Sequence, residues 1–510
     1  MQPAVPRRRF LSSAAAGWAS TAALTAAAEL GRARTVSIFH TTDLHGRILP
    51  TSTYEGLDDV GGLARCATCI RQWRKESPHS ITVDVGDVVQ GTPVSSRRGG
   101  QLMIELFNRL GYDAWTLGNH DFDWGPEKLE TLLAHSTAPV LTANITRGDA
   151  VPGNFAGAWQ AVKPWTVREV GGFRIGLVGL ITPGLPFWLS PETLGGTAPL
   201  DPLAVLARAV AEVRGERVDA VVVMGHMGWR FNDDYANPVR TLLKDVKGVD
   251  VYLAGHSHQN QPSWMMNGVL CSQASYHGIH CGRIDLTFDL DTRKLVDRKA
   301  FTLLMDDRFA PDPMVLDLAR NDLQAADADL ARQVATVARL IPGKGRGSGL
   351  ANLLCACLAG ALERRKVAVD GVFHGTFGSG DLHPGPLTVA DCWRIIPYEN
   401  MLVTAEVTAA ELLQIVAEDA EVRDSDRTLW PFEVVAGADG KPAHLRLQGA
   451  EVPAAKRLTI AFNSYDAQSG GRRLMRTRGI LSAPDAKRRT TPVDTRSALI
   501  DGLLDRGTVS

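Results

Sequence analysis

The stretch Gly118-Asn119-His120-Asp121-Phe122-Asp123 follows the β-prone run Trp115-Thr116-Leu117. It sets an amide oxygen, an imidazole and a carboxylate at one strand end, which is equipment for a metal or a catalytic centre. Alone, Asn-His-Asp also suits an ordinary polar turn, and taken singly the turn is the favoured reading. Other clusters of the same type decide between the two: Asp43-Leu44-His45, Gly86-Asp87, Gly225-His226 and Gly255-His256-Ser257-His258.

Each cluster closes a short β-rich run. Thr35 to His40 ends at Asp43 and His45, Ile81 to Val85 at Asp87, and Ala114 to Leu117 at Asn119. Ala220 to Met224 ends at His226, and Val251 to Ala254 at His256, while Phe173 to Leu180 supplies a further strand. Longer helical stretches lie between them, so the pattern predicts an α/β layered domain. Sites in such sheets gather beyond the carboxyl ends of the strands. A ligand-type residue at five separate strand ends is too regular for chance turn chemistry.

The donors are carboxylates, imidazoles and one amide oxygen, with no thiolate. That set suits a borderline divalent cation such as Zn²⁺ or Mn²⁺, with iron as a further fit. The seven residues Asp43, His45, Asp87, Asn119, His226, His256 and His258 are too many for one ordinary ion. They suit two ions about 3.5–4 Å apart that share a bridging carboxylate. Taken singly, His226 would read as a core or surface histidine and Asp43 or Asp87 as a helix cap. Their joint occurrence in order favours the centre. His40, His277, His280, His374 and His383 stand outside these motifs and are not assigned to the metals.

A chain of 510 residues exceeds one hydrophobic core, so two domains are expected. Hydrophobic content of 45% and charged content of 22% are those of a soluble globular protein. The formal net charge of −1 argues against a broad nucleic-acid-binding surface but leaves room for a small anionic substrate, which needs only local positive charge. Residues 1–28 read as a twin-arginine signal: Arg7-Arg8-Arg9-Phe10-Leu11 precedes a weakly apolar Ala-rich stretch that ends in Ala26-Ala27-Ala28. This predicts use of the Tat export machinery and a periplasmic or secreted protein. No other stretch is long and apolar enough to form a stable membrane span.

Cys66 and Cys69 form a Cys-x-x-Cys on a predicted helix, without a second pair at zinc-ribbon spacing, and are read as core residues. A Cys271–Cys281 disulfide is left open by the sequence. Beyond Pro311-Asp312-Pro313, apolar positions from Met314 to Leu340 predict a linker helix over 313–340. Residues 35–312 then form the first domain and 341–510 a smaller α/β unit, with helices near 350–362 and 409–420 and a strand at 458–462.

The strand-end clusters resemble the motifs of the calcineurin-like metallophosphoesterases. The longer strings Thr42-Asp43-Leu44-His45-Gly46 and Gly86-Asp87-Val88-Val89-Gln90-Gly91-Thr92 are similar in particular to the two-domain bacterial 5′-nucleotidase family. The resemblance implies a layered β-sandwich metallophosphoesterase domain flanked by helices, a linker helix and a smaller α/β C-terminal substrate domain. It assigns Asp43, His45, Asp87 and His258 to one metal, and Asp87, Asn119, His226 and His256 to the other, with Asp87 bridging. His120 would face the leaving group and Asp123 would hold its imidazole. The implied protein is an exported dinuclear-metal hydrolase of phosphate esters that uses a metal-activated hydroxide in nucleotide catabolism.

The second domain departs from that family. His374-Gly375-Thr376-Phe377-Gly378-Ser379 stands where the resemblance implies an Asn-Gly-Gly-Gly-Ile-Arg loop, and Ser469-Gly470-Gly471-Arg472-Arg473 where it implies Gly-Gly-Asp-Gly. Tyr398 and Tyr465 occupy the positions of the aromatic pair that sandwiches a nucleobase; core tyrosines are the plain alternative. Arg472, in place of the ribose-binding Asp, is expected to contact the substrate and to attract a second anionic group. Two other functions remain open: hydrolysis of another anionic ester (a cyclic nucleotide, a sugar phosphate or a thiosulfohydrolase-type sulfur substrate), and non-catalytic binding on the same fold.

Overall fold

The structure, a computed structural model, describes residues 32–510. The predicted signal at 1–28 lies outside the described residues. Among them, no helix is long and apolar enough to cross a membrane.

Two sheets pack face to face in the first half of the chain. One runs in the order Leu295–Leu304, His280–Asp289, Ala33–Thr41, Ser80–Asp84, Ala114–Thr116, Val140–Leu141, Val162–Lys163. From Ala33–Thr41 to Val162–Lys163 neighbouring strands are parallel, and Thr41 lies opposite Asp84. The other sheet runs Asn260–Met266, Val269–Ala274, Val251–Ala254, Ala220–His226, Phe173–Ile181, Trp165–Val170, with a parallel centre and antiparallel edges. The central strands are apolar on both faces. Ile38, Val83 and Ala114 meet Leu177, Val222, Met224 and Leu253 in the dry layer between the sheets. The opposite faces are covered by helices, including Leu63–Glu76 and Gln101–Leu110 on one side and Pro202–Gly215 on the other. Strands buried on both faces are what near-continuous Val/Ile/Leu runs specify. The expected layered β-sandwich flanked by helices is therefore the fold.

The second half contains a five-stranded sheet in the order Thr428–Trp430, Gly371–His374, Arg457–Asn463, Met401–Thr408, Arg489–Asp494. Helices Gly349–Arg364 and Thr495–Arg506 pack with one apolar cluster and Ala409–Glu421 with another. Between the halves, helix Pro313–Leu330 is shorter than its sequence pattern suggests. Asp312 caps it by accepting the Met314 and Val315 N–H groups at 2.9 and 3.3 Å. Its Val315, Ala319 and Ala326 are buried against the first half. Gln333–Val337 is a strand, paired with Gly385–Thr388 and Thr508–Val509. Val334 and Val337 satisfy a helical spacing, but Val-Ala-Thr-Val is also β-prone, and pairing on two sides decides in favour of the strand.

All seven cysteines are buried free thiols. Cys66 and Cys69 sit in the core of helix Leu63–Glu76. Cys271 and Cys281 are not joined; their thiols point to the Val269 and His40 carbonyls instead.

At Gly179 the two sheets come into main-chain contact. A Cβ there would lie 2.0 Å from the Leu141 carbonyl oxygen, and the Gly179 carbonyl accepts the Ala143 N–H at 2.8 Å. Gly179→Ala is expected to destabilise the protein by about 1–3 kcal/mol, the usual cost of overpacking. Denaturant unfolding measures it, and an unchanged midpoint would show that the sheets separate freely at this edge.

Candidate active site

The carboxyl ends of the parallel strands in both sheets open on the same side, and the chain turns sharply at each. Asp43, His45, Asp87, His256 and His258 all have left-handed backbones, with φ between 49° and 67°. Non-glycine residues in this region cost about 1–3 kcal/mol each and persist only where the surroundings over-determine them. Gly118 allows a close approach: a Cβ there would fall 2.1 Å from the Asp87 carboxylate.

Two groups of ligand atoms result. Asp43, His45, Asp87 and His258 place one donor each within 4.8 Å of one another, and so do Asp87, His226 and His256. Asp87 belongs to both. Its Oδ2 lies 3.2 Å from His226 Nε2 and 3.7 Å from His45 Nε2, while Oδ1 accepts the His120 N–H at 2.8 Å. His258 Nε2 is 3.4 Å from Asp43 Oδ1 and 3.1 Å from His45 Nε2. Two ring nitrogens pointing at one spot beside two carboxylates suit a cation placed between them.

The remaining donors fit as well. Asn119 Oδ1 and His226 Nε2 are buried without a hydrogen-bond partner, His226 Nε2 meeting only the Asp87 carboxylate, an arrangement that is costly unless something else fills the coordination. The outer ring atoms are fixed: His226 Nδ1 donates to the Val85 carbonyl at 2.7 Å and His45 Nδ1 to the Gln90 carbonyl at 3.0 Å. Each leaves Nε2 free to bind, the usual way a histidine ligand is oriented. Burial pushes the His45 and His256 imidazoles down to about 3, so both are neutral donors. For His226 burial acts downward too, but the Asp87 carboxylate outweighs it and raises the ring to about 9.

His120 points into the site from the short helix Asn119–Phe122. Its Nδ1 meets Asp123 Oδ2 at 2.7 Å, which frees Nε2. Burial opposes its charge, but the Asp123 and Asp87 carboxylates prevail and raise it to about 10. Asp121, next in the chain, turns the other way. Its carboxylate accepts N–H groups of Gly118, Asp87, Val88 and Val89 at 2.8–3.2 Å and thereby locks two strand ends together. It is scaffolding for the ligands on both sides of it.

A cavity of about 490 Å³ extends from this centre to the second half of the chain. His120, Asp123 and His256 line it from one side, and Phe377, Tyr398 and Tyr465 from the other. Tyr398 stacks on His120 with centroids 6.2 Å apart and 17° between the planes.

Residues 36–260 match the calcineurin-like phosphoesterase family. Bovine (Bos taurus) 5′-nucleotidase is 33% identical over 229 residues, covering 44% of this chain and 38% of that protein. The chain thus spans less than two-fifths of the length of the curated relatives it matches first. The fold extends further. The 5′-nucleotidase precursor of Thermus thermophilus superposes with a TM-score of 0.70 at 24% identity, covering 94% of this chain and 97% of that one. A putative 5′-nucleotidase of Staphylococcus aureus gives 0.76 at 21%, covering 92% and 96%. Residues 36–260 thus carry a calcineurin-like phosphoesterase match, and the whole described chain has the fold of these two structures.

Within that fold the second half of this chain departs from the loops expected from the resemblance. Ser379 is buried and donates to the Thr376 carbonyl at 2.7 Å, so it offers nothing to a ligand. The loop is held by Asp426, which accepts from Thr376 and Gly378. Arg472 does not reach the cavity. Its guanidinium lies 5.2 Å from the ring centroids of both Phe187 and Tyr235, where cation–π contact holds it, and Arg473 lines the cavity in its place. A left-handed backbone at Arg472, φ 67°, turns the next side chain inward.

Sequence reasoning missed Tyr54. It is 67% exposed on the Thr51–Val60 loop, stacks on Tyr276 at 4.3 Å, and brings its hydroxyl to 3.2 Å from His258 Nδ1. His277 lies outside every motif, yet its ring stands edge-on to His45 at 5.7 Å. Neither residue lies in a recognisable string, and only the return of the loop over the site brings them there. The Tyr54 hydroxyl accepts from His258 Nδ1 and so directs Nε2 inward. We expect Tyr54→Phe to weaken the affinity of one metal by about 10- to 100-fold. Competition with a chelator measures this, and two affinities equal to those of the wild type would remove Tyr54 from the ligand support.

Proposed function

We propose that this protein is an exported, dinuclear-metal hydrolase of phosphate esters, 5′-nucleotidase-like, with the mature chain working in the periplasm or outside the cell. The observation that carries the reading is the convergence of six donors from four strand ends into two groups that share Asp87, with the buried, unpartnered Asn119 amide oxygen at a fifth. The 5′-nucleotidase names of the relatives support the substrate class. Asp43, His45, Asp87 and His258 would hold one ion, and Asp87, Asn119, His226 and His256 the other, zinc or manganese by donor type. When bound, such ions supply Lewis acidity toward phosphoryl oxygens and an activated water for in-line attack.

The chain's own residues do the rest. Asp123 orients the His120 ring through Nδ1 and stabilises its charged form, so that Nε2 faces the leaving oxygen and gives it a proton as the ester bond breaks. Asp87, bonded to the His120 main chain, keeps that ring in register with the donors. Tyr398 and Tyr465 would hold the organic part of the substrate by stacking, which orders it over the centre and excludes water from one face. A protein that only bound ligands would have no need for the His120–Asp123 pair, and this favours catalysis over mere binding.

Metal analysis of the reconstituted mature protein is expected to give two divalent ions per chain, and Asp87→Asn should lower the content toward one or none. A wild-type stoichiometry of one, unchanged in Asp87→Asn, would overturn the dinuclear centre. For His120→Ala we expect kcat on a nitrophenyl phosphate to fall by roughly 10²–10⁴-fold with metal content kept. Loss of metal together with activity would make His120 a ligand or a structural residue instead.

A further inference from the structure

Beside the main cavity lies a second one of about 250 Å³, and the two share Trp188, His256, Tyr465 and Arg473. Trp188 forms the partition. Its ring sits 5.1 Å from that of His256 and 5.9 Å from that of Tyr235. The far side of the partition is reached directly from the metal-ligand cluster, because His256 faces both spaces.

The chemistry of this side cavity is cationic. Arg230 and Arg473 both line it, and neither has a carboxylate within ion-pair distance among the described residues, whereas Arg427 and Arg496 beside the main cavity do. Arg427, on the main cavity, is bound by Asp466 at 2.7 and 2.8 Å and by Asp419 at 3.1 Å. Glu399, also there, is taken by Arg496 at 3.0 Å. Arg230 makes only a long contact, 3.3 Å, to the Ser257 carbonyl. Asp234, the acid that lines the side cavity, is occupied by the Ala236 and Asn237 N–H groups and the Asn237 amide.

Arg473 is also held in place. The turn before it docks on the other half of the chain: the Gly471 N–H and the Ser469 hydroxyl both donate to the Phe187 carbonyl, at 3.1 and 3.3 Å. Arg472 is clamped over Phe187 and Tyr235. Two unpaired guanidinium groups on a fixed rim, one step from a centre that takes a phosphoryl group, form an anion site in search of an anion.

Building on the phosphoester-hydrolase reading, we propose that Arg230 and Arg473 form a subsite for a second anionic group carried by the substrate. The preferred substrates are then phosphomonoesters that bear a further phosphate or carboxylate, with the scissile group at the Asp87 centre and the other across Trp188.

Two substrate pairs test this on the metal-reconstituted protein: adenosine 3′,5′-bisphosphate against AMP, and 3-phosphoglycerate against glycerol 3-phosphate. In at least one pair, kcat/KM should favour the member with the extra anion. Arg473→Gln and Arg230→Gln should each reduce that ratio by roughly 10- to 150-fold, mainly through KM, and Arg473→Lys should restore part of it. No preference in either pair, or a preference that both variants leave intact, would overturn the subsite. Calorimetry with ethylphosphonate and 3-phosphonopropionate, which are not hydrolysed, reads the same preference without turnover. A protein that cleaves no ester yet binds the carboxylated ligand more tightly, and loses this in Arg473→Gln, keeps the subsite while the hydrolase reading fails. Equal affinities for the two phosphonates, without ester cleavage, overturn both.

Discussion

Two carboxylates, Asp43 and Asp87, are buried almost completely at the mouth of the sandwich, and the surrounding structure follows from the need to make that tolerable. Burial alone would protonate them, but the imidazoles of His258 and His226 hold both below the ordinary carboxylate range. Charge of one sign gathered in a low-dielectric space is unfavourable without a counter-charge. His226, 3.2 Å from Asp87, supplies part of it, and divalent cations would supply the remainder. The same need accounts for Asp121, whose four main-chain donors keep the loops from relaxing apart.

The dry layer between the sheets is what makes such crowding rigid. Strands from two different sheets end side by side, so His226 and His256 from one approach Asp43 and Asp87 from the other. Five donors with left-handed backbones are tolerated because the strands behind them cannot move. The layers and the site are thus one construction, with packing at its base and ligand geometry at its top.

The second half of the chain works differently. Its contribution is a wall of aromatic and basic side chains carried on loops, and small backbone choices there decide which residue faces the cavity. The left-handed turn at Ser469 to Arg472 presents Arg473 and sends Arg472 to an aromatic clamp. Loops are where substrate preference changes most readily, since a rigid scaffold carries the chemistry independently of them.

The layered fold of the first half was legible in the sequence because strands buried on both faces must be apolar throughout, and the candidate metal donors were legible because each sits within a few residues of a strand end. The free state of Cys271 and Cys281, the strand at Gln333–Val337, the scaffolding role of Asp121, the Tyr54–His258 contact and the exchange of Arg472 for Arg473 were decided only by the tertiary structure. In each of these, the outcome depends on a partner far away in the chain: the strand Gly385–Thr388 for one, a turn crossing to Phe187 for another. Periodicity and motif spacing report what a residue's own neighbours allow. Which of two allowed states is taken, and which of two adjacent arginines lines the cavity, is settled by long-range packing that local sequence does not encode.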